Sequence, residues 1–355
     1  TSITSDGTVT GSTAMYATNR GAGDIDIVNT NVSGTAFADG AVTGIEARHY
    51  SDGIINVTAD RVRGGTADGI QVVNNGGTGS ISVTTTGTVD GAFNGITALN
   101  DNSGGLDIST QGTVTAGQNG ILANNRAGGD LTITSSEIAA NLGNGIETYN
   151  DASGQNLIIN VENSITGGDR GIDAFQRGTG SFDISVTNPQ GTAQVTGQTK
   201  GIYARHECTG TLSIVADQVT VVSQYGIETR SSNIAGDASI LVNESVYGGV
   251  QAIRADHSSP GNLDITATNG DGTARVASNG AGIVAVNTVG GRVNINVDQV
   301  DATSEGIIAE QSGLAYGPSL SITAGQVLST TNDGVTATTS SGASSAQITI
   351  TAGSS

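Results

Sequence analysis

The chain of 355 residues holds one cysteine, three prolines and no tryptophan. A lone cysteine, Cys208, excludes an internal disulfide. Aromatics make up 3% of the residues, so any core is built from Ile, Val, Leu and Ala. A disordered low-complexity chain is rich in proline and poor in β-branched residues. Here Ile, Val and Thr recur throughout, and the 54 glycines mark turns between strands. No apolar run reaches the roughly 18 residues of a membrane-spanning helix. The opening, Thr1-Ser2-Ile3-Thr4-Ser5, lacks the basic start and apolar stretch of a signal peptide. An exported protein with this start is a processed chain or an excised fragment. Basic charge is scarce: 13 Lys and Arg face 32 Asp and Glu, for a net charge of -19, and Lys200 is the only lysine. Nucleic acid and anionic membrane surfaces need a basic patch, so neither is an expected partner.

What is present is a repeat. Gly-Ile-x-Ala occurs as Gly44-Ile45-Glu46-Ala47, Gly95-Ile96-Thr97-Ala98, Gly120-Ile121-Leu122-Ala123 and Gly171-Ile172-Asp173-Ala174. It returns at Gly201-Ile202-Tyr203-Ala204, Gly282-Ile283-Val284-Ala285 and Gly306-Ile307-Ile308-Ala309. Looser copies carry Met15, Ile70, Ile146, Ile227, Ile253 and Val335. From Ile45 onward these anchors are 25, 26, 25, 25, 26, 30, 25, 26, 30, 24 and 28 residues apart. An apolar-x-apolar triplet follows each anchor, as in Leu106-Asp107-Ile108 and Leu263-Asp264-Ile265. A third apolar position comes next, as in Val114 and Val276. Alternation with period two is a strand signal, and no segment has the 3.6-residue period of a helix.

Three short strands per unit make one coil. The expected fold is therefore all-β: a right-handed parallel β-helix of about thirteen coils, with each strand about 4.8 Å from its counterpart in the next coil. We expect one domain, residues 1–355, uncapped at both ends. Two long coils share a corner insertion before the third strand, Thr187-Asn188-Pro189-Gln190-Gly191-Thr192-Ala193 and Thr268-Asn269-Gly270-Asp271-Gly272-Thr273-Ala274.

With its Gly-Ile-x-Ala repeats, Gly-rich corners and scarcity of cysteine, the chain resembles the passenger domains of bacterial autotransporters. That resemblance implies export across the outer membrane to the cell surface or medium. It also implies a non-enzymatic role in adhesion, aggregation or biofilm, as an adhesin or matrix scaffold. The implied partners are a host or neighbouring-cell surface protein, a glycan, or a second copy of the chain. The family's C-terminal membrane barrel and catalytic subdomains have no counterpart here.

The three histidines, His49, His206 and His257, each lie four residues after an anchor. In most other coils that position is Asn or Gln: Asn19, Asn74, Asn100, Asn125, Asn150, Gln176, Asn287 and Gln311. An even offset points to the anchor's side, so the series reads as an internal polar ladder at one corner and not as a metal site. No metal, no cofactor and no catalytic residue is expected. The outward positions of the first strand lie one and three residues after each anchor. There Leu99, Leu122, Tyr149, Phe175 and Tyr203 make an apolar stripe, bordered by Glu147, Asp173, Arg205, Glu228 and Arg230. In a chain so poor in aromatics this is the expected contact surface for a glycan or protein. Two other readings compete. A filament subunit would stack its open strand edges head to tail. A polysaccharide lyase or hydrolase would need clustered acids in a walled cleft, and most loops are too short to build one.

Overall fold

A computed structural model describes every residue except 127, 233, 234, 313–317, 340–344 and 351–355. The last five residues, at the C-terminus expected to be open, thus lie outside the described residues. The chain divides into two compact units, Thr1–Thr179 and Gly180–Ser355. Each is a stack of parallel strands, and the β-solenoid counts about 13 turns in all. No helix occurs among the described residues.

In the first unit the anchors pair in register: Ile45 with Ile70, Ile70 with Ile96, Ile96 with Ile121, Ile121 with Ile146, and Ile146 with Ile172. In the second, Ile202, Ile227, Ile253, Ile283, Ile307 and Val335 form the matching column. The Ile anchors from Ile45 to Ile307 are fully buried. Each buried side chain of this size contributes roughly 1.5–3 kcal/mol of transfer free energy. Coil-to-coil register is therefore fixed by apolar columns, because a slip of one residue would turn every Ile outward.

The glycine that precedes most of the anchors has a steric cause. A Cβ on Gly120 would lie 2.3 Å from Ile138 Cγ2 and 2.5 Å from the Gly145 carbonyl oxygen. On Gly201 it would lie 2.3 Å from Val219 Cγ1. The third-strand Ile or Val fills the corner that a larger residue would need. In most coils without an insertion the second and third strands run on as one bent strand, as in Leu106–Ala116, Gly129–Ala140 and Ala238–Gly248. Three separate strands appear where a loop intervenes, as between Phe182–Val186 and Gln194–Gly197.

The corner insertion occurs three times, not twice. Thr30-Asn31-Val32-Ser33-Gly34-Thr35-Ala36 has the same construction as the two copies found by pattern. In all three the Asn Oδ1 accepts from the Thr backbone N–H at 2.9 Å: Asn31 with Thr35, Asn188 with Thr192, Asn269 with Thr273. The glycine between them has φ of 64°, 68° and 69° in turn, a left-handed conformation that glycine adopts without penalty. A carboxylate from the following coil closes each loop. Asp60 Oδ2 accepts from the N–H groups of Asn31 and Ala36, Asp217 Oδ2 from Asn188 and Ala193, and Asp298 Oδ2 from Asn269 and Ala274. Asp217 is 1% exposed. Asp217→Ala removes a charged acceptor from two backbone donors, and we expect a loss of about 2 kcal/mol. Urea unfolding and limited proteolysis at Asn188–Thr192 check this; an unchanged midpoint and cleavage pattern would refute it.

Candidate recognition face

The ten residues singled out by pattern all lie on first strands, six in the first unit and four in the second. In the first unit the third outward position forms the column Leu99, Asn124, Tyr149, Phe175, and the first outward position forms Thr97, Leu122, Glu147, Asp173. Leu99, Leu122, Tyr149 and Phe175 are all half-buried. Tyr149 and Phe175 meet edge to face, with ring centroids 5.2 Å apart. The Tyr149 hydroxyl donates to Asp151 Oδ1 at 3.1 Å, and Arg177 Nη1 donates to the same hydroxyl oxygen at 3.1 Å. The Arg177 guanidinium also lies 5.9 Å from the Phe175 ring centre. The pair is thus an apolar platform with a fixed polar edge. Nearby, Asn119 and Asn144 both donate to Glu147 Oε2, and Arg170 pairs with Asp173.

In the second unit the first-strand wall has a different character. The Tyr203 ring is packed among three cations. Lys200 Nζ lies 3.6 Å from its centre, Arg205 Cζ 5.6 Å and Arg230 Cζ 5.7 Å. A cation over an aromatic face is attracted by the ring quadrupole. Glu228, at an outward strand position, is nevertheless fully buried. Its Oε2 pairs with Lys200 Nζ at 2.5 Å and its Oε1 with Arg230 Nη2 at 2.8 Å. Glu228 therefore holds the cations in place and is not itself a contact group. Tyr203, Arg205, Glu207, Arg230, Ser231 and Ser232 line a shallow depression of about 330 Å³ on this face. Lys200, Ser231, Ser232, Glu207, Arg177 and Asp151 were missed as site residues in the sequence. One signal was available for Lys200: the only lysine stands two residues before an anchor and three before an aromatic.

On the inner side of the same strands runs the polar ladder. Asn100 Nδ2 donates to Asn125 Oδ1 at 3.3 Å, and Asn125 Nδ2 to Asn150 Oδ1 at 3.2 Å. The same amides donate to turn carbonyls, Asn100 to Gly104 and Asn125 to Gly128. His49, His206 and His257 occupy ladder positions and are at most 1% exposed. His206, Ser231 and His257 stack in register. Burial, together with the nearby His257, holds the His206 imidazole down to about 4. Burial likewise lowers His257. Burial pushes the Cys208 thiol up, and the side chain is fully enclosed. Among the described residues no group of three or more His, Cys, Asp or Glu is placed to hold a metal ion. Comparison with family models, curated proteins and solved structures returned no match.

Proposed function

We propose that the protein is a non-enzymatic, exported surface protein, an adhesin or matrix scaffold that engages its partners through the first-strand wall. The observation that carries this reading is where the aromatic and basic residues sit. Eleven Phe and Tyr and 13 Lys and Arg are available in the whole chain. Tyr149 and Phe175 occupy outward positions of this wall in the first unit, and Tyr203, Arg205 and Arg230 do so in the second. Aromatic and Arg side chains dominate the binding energy of recognition surfaces, because they desolvate large areas at low entropic cost. The in-register columns beneath supply a rigid base, and a rigid base spares the ordering cost of binding. The resemblance of the repeats to autotransporter passengers supports reading this as a surface outside the cell.

Adherence tests the reading. Beads coated with the chain are expected to adhere to epithelial monolayers. Tyr149→Ala with Phe175→Ala is expected to reduce adherence at least roughly tenfold, since two hot-spot truncations cost well above 1.4 kcal/mol. Unchanged adherence of the double variant would refute the assignment of this face.

A further inference from the structure

We infer that Asn75-Gly76 is a self-modification site, where the folded protein loses ammonia and gains a carboxylate as it ages. The inference stands apart from the reading of the first-strand wall as a contact surface. Asn followed by Gly occurs six times, at Asn75, Asn94, Asn119, Asn144, Asn269 and Asn279. A glycine has no side chain to hinder its own backbone nitrogen, so that nitrogen reaches the preceding Asn side chain more easily than in any other pair. The fold treats the six pairs differently.

The reaction needs only water and hydroxide. The Gly76 nitrogen gives its proton to hydroxide and attacks Asn75 Cγ. The bond from Cγ to Nδ2 breaks, ammonia leaves with a proton from water, and a succinimide ring closes. Water then opens the ring. Breaking the bond from nitrogen to Cγ gives aspartate. Breaking the bond from nitrogen to the main-chain carbonyl carbon gives isoaspartate, with the chain rerouted through Cγ. Either product carries a carboxylate that is ionised at neutral pH.

Attack requires a glycine N–H that is not tied up and an Asn amide that can turn. Hydrogen bonds to either group must open first. At Asn94, Asn119 and Asn144 both groups are tied. The N–H of Gly95 donates to the Asn119 carbonyl, that of Gly120 to Asn144, and that of Gly145 to Arg170. Asn94 Nδ2 donates to Thr97 Oγ1, and the amides of Asn119 and Asn144 both donate to Glu147 Oε2. Asn94 Oδ1 accepts from the Asn119 N–H, and Asn119 Oδ1 from the Asn144 N–H. The Asn269 amide is held by Thr273 and Glu244. Asn279 is exposed, but a Cβ on Gly280 would lie 2.2 Å from the Val250 carbonyl oxygen. The Gly280 backbone is thus pressed against the preceding coil.

Asn75 is where both requirements are met. Asn75 and Gly76 are exposed, in the corner that follows the strand Ile70–Asn74. Gly76 and Gly77 have φ of 110° and 97°. A Cβ on Gly76 would meet nothing nearer than the Tyr50 carbonyl oxygen at 3.8 Å, so the peptide has room to rotate. Among the described residues, neither the Asn75 amide nor the Gly76 N–H has a hydrogen-bond partner. Asn75 stands five residues after its anchor Ile70, and Asp101 holds the equivalent place after Ile96. The new carboxylate therefore sets two like charges in neighbouring coils at the rim of the first-strand wall, within the first unit.

Peptide mapping by mass spectrometry, with fragmentation that separates isoaspartate from aspartate, is the test. The folded chain is incubated in mildly alkaline buffer and sampled over time. Asn75 is expected to deamidate at least roughly tenfold faster than Asn94, Asn119 and Asn144, since each of those must open several hydrogen bonds at once. Asn269 and Asn279 are also expected to trail Asn75. In concentrated urea the six rates are expected to converge, because the same dipeptide is then free at every position. An intact Asn75 in the folded chain, or equal rates at Asn75 and the three anchor sites, overturns the inference. Anchor sites that stay slow in urea would trace their inertness to neighbouring residues and not to the fold, and would overturn it as well.

Discussion

Glu228→Ala is expected to destabilise the second unit by about 3–5 kcal/mol, the cost of breaking a buried ion pair from one side. Glu228 is fully buried, and Lys200 is 8% exposed. Removing the carboxylate leaves an ammonium enclosed beside two aromatic rings, Tyr203 and Tyr225, and takes from Arg230 the carboxylate it donates to. The penalty comes from the orphaned charge and not from a large attraction lost. Lys200→Met combined with Glu228→Leu should therefore recover most of the stability, because an apolar pair of similar volume avoids the desolvation cost. Urea unfolding of the single and double variants checks this. A single variant within about 1 kcal/mol of wild type would show that the Lys200–Glu228 pair is not desolvated.

Acidification is expected to cost about 3 kcal/mol through His206 alone. Its folded value is about 4, against an ordinary value of 6.5, because burial and the neighbouring His257 disfavour the imidazolium. Between those values the unfolded chain binds a proton that the folded chain refuses. The stabilisation is complete above 6.5 and is lost as the pH falls through that window to 4. His206→Asn places the ladder's commonest residue at this position. Its unfolding midpoint should respond less to pH between 7 and 4 than that of wild type. Comparing the two chains separates His206 from the carboxylates that titrate in the same range. An identical pH response in both would refute the assignment.

The columns were legible because period-two alternation and the 25-residue return are properties of single positions. Ile121 and Ile146 each declare an inward face without reference to any neighbour. The histidines were legible for the same reason: four residues from an anchor is an even offset, so His206 had to share the side of Ile202. The Thr30–Ala36 loop escaped because its variable positions are Val32 and Ser33, where the other copies have Pro189-Gln190 and Gly270-Asp271. The 30 residues between Met15 and Ile45 were the available clue. Glu228 marks where periodicity stops informing. Its strand position faces outward, and that much was legible. Its burial follows from Lys200 and Arg230 folding over it, which depends on how long side chains pack between coils. No single-position rule describes that packing.

The claim that the first-strand wall is the contact surface is tested most directly by comparing two aromatic truncations on different corners. Phe93 is 53% exposed and lies before the anchor Ile96, off the first-strand wall. Beads carrying Phe93→Ala should adhere like wild type, while beads carrying Tyr149→Ala with Phe175→Ala should lose adherence at least roughly tenfold. Equal losses from both, or no loss from the wall variant, would contradict the account.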